Sequence, residues 1–410
     1  MKRLCRSCNS SDLELILDLG FSPPSNALLN MSDLSKPEAY FPLRLLFCRN
    51  CKLAQTEDFH TSDILFTNSY PYLSSASSSW CQHAEQLVER LVSQLGLGPN
   101  SLVTEIASND GYLLQYLAAR NIPCFGIEPT QLAAEISRSK GHDVITSFLT
   151  RKLAANITSD KGYSDVVIAN NVFAHVPELL EFTKAARDLL TPTGTLVAEI
   201  QYFPKLIENL AFDTIYHEHF SYFSLTSIHN LFSRCGLNIF HAEEIPTHGG
   251  SLRVFARRFN GAEMINSTIH RMLEEESKLE ASRRISSFKD RVSNKRNEIR
   301  EFFLTIKKRK QPIIGIGAAA KGNTLLNYCG ITVEDIPMIL DSAKSKHGKF
   351  SPGSHIPIRP LEMLAIREFE TFLVLPWNLF DEFSKLLSIS SDSKDRVLYS
   401  LIPNIREIRV

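Results

Sequence analysis

The stretch SLVTEIASNDG, residues 101–111, decides the fold of this chain. It has the pattern of a short buried strand followed by a polar turn, with a helix expected beyond it. Three further apolar runs of strand length follow at 123–129, 165–169 and 194–200. Alternating strands and helices of this length predict a doubly wound parallel sheet, in which ligands bind at the carboxyl ends of the strands.

The turn after the first strand indicates what this sheet binds. It lacks the three glycines of a dinucleotide fingerprint and has one glycine, Gly111, where a backbone passes close to a ligand. The next strand ends on Glu128, which is placed to accept hydrogen bonds from two ribose hydroxyls. A nucleoside without phosphates, such as S-adenosylmethionine, fits better than a dinucleotide. Its carboxylate and amine would face the turn around Ala107 to Asp110; for Glu128, a solvated strand end is the alternative.

Length and charge limit the class of protein. The chain has 410 residues, enough for two or three domains with their own cores. Its 45 basic residues balance 45 acidic ones, so no net field favours nucleic acid or an anionic membrane. No apolar run approaches 18 residues, and the start MKRLCRSC lacks the apolar region of a signal peptide. We therefore expect a cytoplasmic protein with no nucleic-acid or membrane partner.

Two cysteine pairs of equal spacing, Cys5-x-x-Cys8 and Cys48-x-x-Cys51, lie near the start of the chain. Such turns supply the four thiolates of a tetrahedral structural zinc site. A redox motif, which needs only one pair, and a nucleic-acid zinc ribbon, which usually brings a basic face, are the rivals. The region is too short for a good core, so the metal would supply folding energy.

The segment FDTIYHEHFSYF, residues 212–223, concentrates proton donors and acceptors. Histidine titrates near neutrality, so His217 or His219 is the natural general base. A metal site and a structural polar patch are the alternatives. His248, which precedes a Gly-Gly pair entering an alternating strand, is a second-choice base, although such a histidine more often caps a turn.

The last third of the chain combines a connector with a second strand–helix pattern. Apolar residues at helical spacing within the charged stretch 262–309 predict a long amphipathic connector. Beyond it, a glycine-rich turn with Lys321 at a helix N-terminus makes a plausible seat for the phosphates of an activated substrate. The rivals are a purely structural turn and a nicotinamide dinucleotide with Asp341 on its ribose, although the glycine spacing is too long for that fingerprint.

Several long motifs follow one another along the chain. After the paired CxxC turns come YPYxSS (70–75), EIASNDGYLL (105–114), GIEP (126–129), NNVFAHVP (170–177), YHEH (216–219), HGGSLR (248–253) and GxGAxAKGNTLLNY (315–328). Together they resemble, over essentially the whole chain, the S-adenosylmethionine-dependent sugar C-methyltransferases that act on nucleotide-linked 4-keto-deoxysugars. The resemblance implies an α/β protein with four parts: a zinc-binding module (1–62), a class I methyltransferase domain with a doubly wound sheet (63–256), a helical connector (257–310) and a Rossmann-like C-terminal domain (311–410).

The resemblance also implies the roles of individual residues. His219 would remove a proton from C-3 of the sugar, beside its C-4 ketone, and the other catalytic residues would be Tyr216, Glu218 and His175. The cofactor S-adenosylmethionine would be bound by Glu105, Ala107, Ser108, Asn109, Asp110, Glu128, Pro129 and Asn170. The substrate, a nucleotide-diphosphate sugar, would be bound by Tyr70, Asn171, His217, Tyr222, Lys321 and Asn323. Structural zinc would be held by Cys5, Cys8, Cys48 and Cys51, in a monomer or homodimer.

Two other functions compete with this one. A nicotinamide-dependent sugar-nucleotide oxidoreductase would use the glycine-rich turn of the last domain. A zinc-ribbon protein that binds nucleic acid or a protein partner would not be an enzyme at all. The neutral net charge and the absence of a basic stripe with interleaved aromatic residues argue against the second.

Overall fold

The computed structural model describes residues 4–59, 73–259, 267–309, 312–365, 369–390 and 396–409. The strands are β1 (Leu13–Ser22), β2 (Phe41–Cys48), β3 (Ala54–Thr56), β4 (Val103–Ile106), β5 (Cys124–Ile127), β6 (Val144–Ile145), β7 (Ser164–Asn170), β8 (Leu190–Gln201), β9 (Ser221–Tyr222), β10 (Leu237–Ile245), β11 (Ser251–Arg258), β12 (Ile313–Ile316), β13 (Ile339–Asp341), β14 (Ile358–Pro360), β15 (Thr371–Val374), β16 (Val397–Ser400) and β17 (Arg406–Arg409). The α-helices are α1 (Ser78–Leu95), α2 (Leu114–Ala118), α3 (Gln131–Ser139), α4 (Arg151–Lys161), α5 (Leu179–Asp188), α6 (Phe203–Glu208), α7 (Leu225–Arg234), α8 (Ser267–Ala281), α9 (Phe288–Lys308), α10 (Ala320–Cys329) and α11 (Phe380–Ser390).

The central sheet has seven strands in the order β10-β11-β8-β7-β4-β5-β6. Strands β6, β5, β4, β7 and β8 run parallel, and β11 and β10 return antiparallel as a hairpin. The chain order reverses between β4 and β7, which opens a crevice at their carboxyl ends. This is the doubly wound sheet that the sequence predicts, and the predicted hairpin at the Gly-Gly pair is present.

Helix α1 shows why these segments adopt their local structure. Its apolar residues recur at helical spacing, so that Ala84, Leu87 and Leu91 are buried on one face. The Ser77 hydroxyl accepts a hydrogen bond from the amide of Trp80 and so caps the first turn. Gly96 ends the helix in the left-handed conformation that glycine adopts without strain.

A four-stranded antiparallel sheet in the order β1-β2-β3-β9 joins the start of the chain to its middle. Its last strand, β9, follows the YHEH motif directly, and its Ser221 and Tyr222 pair with Gln55 and Ala54 of β3. The loop that carries the predicted base is therefore attached to the cysteine-rich module by backbone hydrogen bonds. Because the two segments lie more than 160 positions apart, local sequence periodicity does not reveal this pairing.

The third sheet has six strands in the order β14-β13-β12-β15-β16-β17, parallel except for β17. The order reverses at β12, as in a Rossmann-like domain. The predicted connector consists of α8 and α9 within the described residues. One hydrophobic core joins α9, the third sheet and the first sheet, and the aromatic rings of Phe212 and Tyr222 belong to it. None of the described helices combines the length and the apolar character needed to cross a bilayer.

Candidate active site

The four cysteines of the paired motifs meet at one point. Their Sγ atoms all lie within 4.8 Å of one another, with Cys5 and Cys51 at 3.4 Å and Cys8 and Cys48 at 3.6 Å. These separations are far longer than the S–S bond of a disulfide, about 2 Å. They approach the spacing of about 3.8 Å expected for thiolates around tetrahedral zinc. The four thiols thus fit a structural zinc ion, as the sequence predicts.

The electrostatics of this cluster differ from thiol to thiol, and burial raises the pKa of Cys48 to about 11. A hydrogen bond from the Cys51 thiol lowers the pKa of Cys5 to about 5, while the same bond raises the pKa of Cys51. The backbone amide of Cys51 and the side-chain amide of Asn50 donate to the Sγ atoms of Cys48 and Cys8. Donors aimed at sulfur stabilise thiolates, and thiolates are the form that binds a metal.

The predicted cofactor residues lie at the crevice between β4 and β7. The hydroxyl of Ser108 and both polar atoms of the Asn170 amide are buried without a hydrogen-bond partner among the described residues. Burial raises the pKa of Glu105 well above its ordinary value, partly offset by the hydroxyl of Tyr112. Since buried polar groups are normally paired, these groups fit a polar ligand such as the amino-acid end of S-adenosylmethionine. Ala107 adopts a positive φ of 57°, which makes the turn tight.

Glu128 ends β5 beside this turn and is buried. Its Oε2 accepts from the amide of Asn109 at 2.9 Å, and its Oε1 accepts from the amide of Thr130 at 2.8 Å. The carboxylate therefore ties two turns together and retains lone pairs for further hydrogen bonds. Burial is the main cause that raises its pKa. Pro129, half-buried, directs the chain from this acid into α3.

The side chains of Asn109 and Asp110 hold the segment that precedes α1. The Oδ1 of Asn109 accepts from the amide of Ser74 at 2.8 Å, and the Asp110 carboxylate accepts from the amide and hydroxyl of Ser75. The Lys140 ammonium lies 3.5 Å from the same carboxylate. These two residues thus fasten the end of the YPYxSS motif over the crevice. Tyr70, predicted to bind the substrate, lies outside the described residues.

His219 and Tyr216 form a hydrogen-bonded pair. The Nε2 of His219 lies 2.7 Å from the Tyr216 hydroxyl, and the ring centroids are 4.0 Å apart. The ring of His175 meets that of His219 edge-on at 4.6 Å. Burial is the main cause that holds the pKa of His219 well below 6.5, and the charge of Lys321 acts in the same direction. His219 is therefore neutral at physiological pH and able to accept a proton.

His175 has a fixed tautomer. Its Nδ1 lies 2.8 Å from the backbone carbonyl of Glu218, which only accepts hydrogen bonds, so Nδ1 carries the proton and Nε2 the lone pair. Burial lowers its pKa to about 4, opposed by that same hydrogen bond. The turns that carry His175 and His219 are thereby joined through one carbonyl, which places two neutral imidazoles side by side.

The other predicted residues of the YHEH segment support the loop in the structure. The Nε2 of His217 faces the carbonyl of Pro42 at 3.3 Å, and the Oε2 of Glu218 accepts from the Asn26 amide at 2.6 Å. The hydroxyl of Tyr222 accepts from the amide of Tyr216 and donates to the carbonyl of Thr214, both at 3.3 Å. Contacts of these side chains with the substrate stay a prediction.

The third domain brings Lys321 to the catalytic cluster, and its predicted role as a seat for phosphates stays a prediction. The Lys321 ammonium donates to Asn378 Oδ1 at 2.6 Å and lies 5.1 Å above the Trp377 ring, while burial lowers its pKa. The Trp377 indole donates to Oδ2 of Asp213 at 2.9 Å. Burial raises the pKa of Asp213 to about 7, opposed by Lys321. Sequence reasoning missed Asp213 and Trp377, although Asp213 directly precedes the YHEH segment.

Two amides of the predicted substrate site are available to a ligand. The side-chain nitrogen of Asn171, at the end of β7, and both polar atoms of Asn323, in α10, are buried without a partner among the described residues. Asn171 has a positive φ of 54°, a conformation that asparagine tolerates better than most residues. Both amides therefore remain candidates for substrate binding, as the sequence predicts.

The crevice of the third sheet does not resemble a dinucleotide site. The Asp341 carboxylate, predicted in the rival interpretation to hold a ribose, accepts from the amides of Ala318 at 2.7 Å and Ala343 at 2.8 Å. The Lys346 ammonium adds an ion pair at 3.3 Å. This carboxylate thus fixes its own turn, and the structure offers no support for the oxidoreductase alternative.

The central sheet has the strand order of a class I methyltransferase fold, and the crevice at its switch point contains buried polar groups without partners among the described residues. Three family models match the chain: “Putative zinc binding domain” over residues 5–66, “Methyltransferase domain” over 80–242 and “C-methyltransferase C-terminal domain” over 246–399. The C-methyltransferase NovU of Streptomyces niveus is 33% identical over 380 residues, which cover 92% of this chain and 90% of NovU. The chain belongs to this C-methyltransferase family.

Two solved structures show the likeness over less than half of the chain. Magnesium protoporphyrin IX methyltransferase of Synechocystis PCC 6803 is 18% identical, with a TM-score of 0.35, and covers 43% of this chain and 82% of its own. An S-adenosylmethionine-dependent methyltransferase of Anabaena variabilis is 16% identical, with a TM-score of 0.38, and covers 49% and 96%.

Proposed function

We propose that the protein transfers a methyl group from S-adenosylmethionine to C-3 of a nucleotide-linked 4-keto-deoxysugar, as a step of branched-chain sugar biosynthesis. The observation that carries this proposal is the pair of neutral imidazoles, His175 and His219, next to Tyr216. C-methylation requires a carbon nucleophile, and a carbon beside a ketone becomes one by losing a proton. A buried, neutral histidine is suited to accept that proton.

In this reaction the substrate contributes the C–H bond that is broken, and the surrounding residues contribute the base and the hydrogen-bond donors. His219 accepts the C-3 proton, and the electrons of the C–H bond move toward the C-4 oxygen to form an enolate. The hydroxyl of Tyr216 and the side-chain amide of Asn171, four residues before His175 in the chain, are the donors proposed to stabilise this oxygen. S-adenosylmethionine, when bound, supplies an electrophilic methyl group. The C-3 carbon forms the new bond as the carbon–sulfur bond breaks, which requires alignment of the two ligands.

Lys321 and Asn323 are proposed to face the nucleotide diphosphate of the substrate. Both belong to α10, which brings the third domain against the catalytic cluster, and the charge of Lys321 acts on His219. An ammonium group favours an anionic ligand, and the amide of Asn323 has no hydrogen-bond partner among the described residues. The third domain would therefore recognise the nucleotide while the middle domain carries out the chemistry.

A panel of nucleotide sugars tests the proposal. The protein and S-adenosylmethionine are incubated with 4-keto-deoxysugars on different nucleotides, and the products are analysed by mass spectrometry and fragmentation. We expect one methyl group on the hexose ring at C-3. The matched control is the same nucleotide sugar with a 4-hydroxyl group, which should not react because it forms no enolate. Methylation of the control, or of oxygen instead of carbon, would refute the proposal.

A further inference from the structure

The two cysteine turns have the same length but place their arginines differently. Arg49, in the turn Cys48-Arg49-Asn50-Cys51, is 61% exposed in its side chain and pairs with Glu14 at 3.1 Å. Arg6, in the turn Cys5-Arg6-Ser7-Cys8, is only 7% exposed in its side chain. A buried arginine needs several acceptors, because an unpaired buried charge is costly. The contacts of Arg6 therefore indicate what it does.

The guanidinium of Arg6 contacts both loops that carry the catalytic histidines. Its NH1 donates to the carbonyl of Pro177, two residues after His175, at 3.3 Å. Its NH2 donates to the carbonyl of Thr56 at 3.0 Å and pairs with Asp58. The group also lies 5.2 Å from the ring centre of Phe220, the residue after His219.

Thr56 connects Arg6 to the segment that carries His219 through hydrogen bonds. Its hydroxyl donates to the carbonyl of His219 at 3.0 Å, and its amide donates to the carbonyl of Phe220 at 3.0 Å. The amide of Arg6 also donates to Gln55 Oε1 at 2.9 Å, which fixes the neighbouring residue of β3. A continuous set of hydrogen bonds thus runs from the first cysteine turn through β3 to His219.

We propose that Arg6 is a positioning residue that couples the cysteine-rich module to the catalytic loops and sets the placement of His219 relative to His175. The inference deepens the proposed function, because it assigns the module a part in catalysis as well as in folding. Planar, forked donors suit this task, since one guanidinium can hold acceptors on separate segments at fixed angles. A displacement of about 1 Å in a catalytic group costs roughly a hundredfold in rate.

The test compares three variants of the full-length, zinc-loaded protein. Arg6→Met removes the guanidinium but keeps the backbone of the turn, and Thr56→Val removes the hydroxyl that holds His219. Arg49→Met is the matched control at the equivalent position of the second turn. For each variant we would measure zinc content, the Michaelis constant for the methyl donor, kcat, and the side-chain ¹⁵N resonances of the histidines.

Arg6→Met and Thr56→Val should each lower kcat roughly tenfold to a hundredfold and shift the His219 resonances, with one zinc ion retained and the Michaelis constant for the donor unchanged. Arg49→Met should match the wild type. If Arg6→Met fails to retain zinc, Thr56→Val decides alone, because it leaves the turn intact. The proposal is overturned if zinc-loaded Arg6→Met matches Arg49→Met in kcat and resonances, or, when Arg6→Met loses zinc, if Thr56→Val matches Arg49→Met. The histidine resonances can be measured without the substrate. If the wild type does not methylate the sugar, the proposed function fails. The role of Arg6 is then decided by the histidine resonances alone.

Discussion

The Nε2 of His219 and the hydroxyl of Tyr216 lie 2.7 Å apart, the distance of a strong hydrogen bond. The two residues are three positions apart in one tight loop, and the amide of His219 also donates to the carbonyl of Tyr216 at 3.0 Å. Tyrosine can donate to the lone pair of the imidazole or accept from its N–H. In the proposed reaction, this pair would share the proton that the substrate loses.

Replacing Tyr216 by phenylalanine tests this pairing. Loss of the hydroxyl should reduce kcat about tenfold, the order expected for one catalytic hydrogen bond of about 1 kcal/mol or slightly more. Tyr163→Phe is the control, since Tyr163 is 54% exposed outside the site. Equal rates for both variants and the wild type would show that the hydroxyl does not participate.

Glu128→Ala should weaken binding of S-adenosylhomocysteine roughly tenfold to a hundredfold, because hydrogen bonds to a charged acceptor contribute that much to the binding free energy. The variant removes acceptors for the ribose and also releases the amides of Asn109 and Thr130. Calorimetric titration measures the dissociation constant. Glu135→Ala on the exposed side of α3 should leave it unchanged. An unaltered constant for Glu128→Ala would contradict the assignment of the cofactor crevice.

Cys48→Ser should abolish stoichiometric zinc and lower the free energy of unfolding by on the order of 3 kcal/mol or more, because the ion ties the ends of a small module together. The matched control is Cys81→Ser, outside the cluster. Metal analysis and urea unfolding check both variants. A Cys48→Ser protein that is zinc-free, as stable as the control and fully active would contradict a structural role for the metal.

The stability of the protein should fall as the pH is lowered from 6.5 towards 4. The pKa of His175 is about 4 in the folded protein and 6.5 ordinarily, so the unfolded chain binds this proton first. Stability then decreases with falling pH, by roughly 2 kcal/mol from this residue between pH 7 and pH 5. Urea unfolding measures the free energy of unfolding of the wild type and of His175→Gln at pH 7 and at pH 5. The decrease between these pH values should be smaller in the variant by roughly 2 kcal/mol. Identical pH profiles would contradict the burial of a neutral imidazole.

Local patterns in the sequence predict the central sheet well. The apolar runs ending at Glu128 and Asn170 correspond to β5 and β7, and the reversal of strand order places both at one crevice. The paired cysteines also meet as their spacing predicts. Each of these features depends on short segments whose type is set by local periodicity and ligand spacing.

Long-range pairings could not be predicted in the same way. The strand formed by Ser221 and Tyr222 joins β3, and the Trp377 indole reaches Asp213 across more than 160 positions. Such contacts depend on how whole domains pack, and a single sequence contains no periodic signal for them. The contacts of Lys321 could not be predicted for the same reason, because Asn378 and Trp377, which contact its ammonium group, lie more than 50 positions away.

The central claim is that His219 removes a proton from the carbon beside the ketone. Exchange of the C-3 proton into deuterated water, followed by NMR without a methyl donor, tests this step alone. The wild type should exchange the proton, and His219→Asn should slow exchange roughly a hundredfold or more while S-adenosylhomocysteine still binds. Exchange at the wild-type rate in His219→Asn would contradict the account.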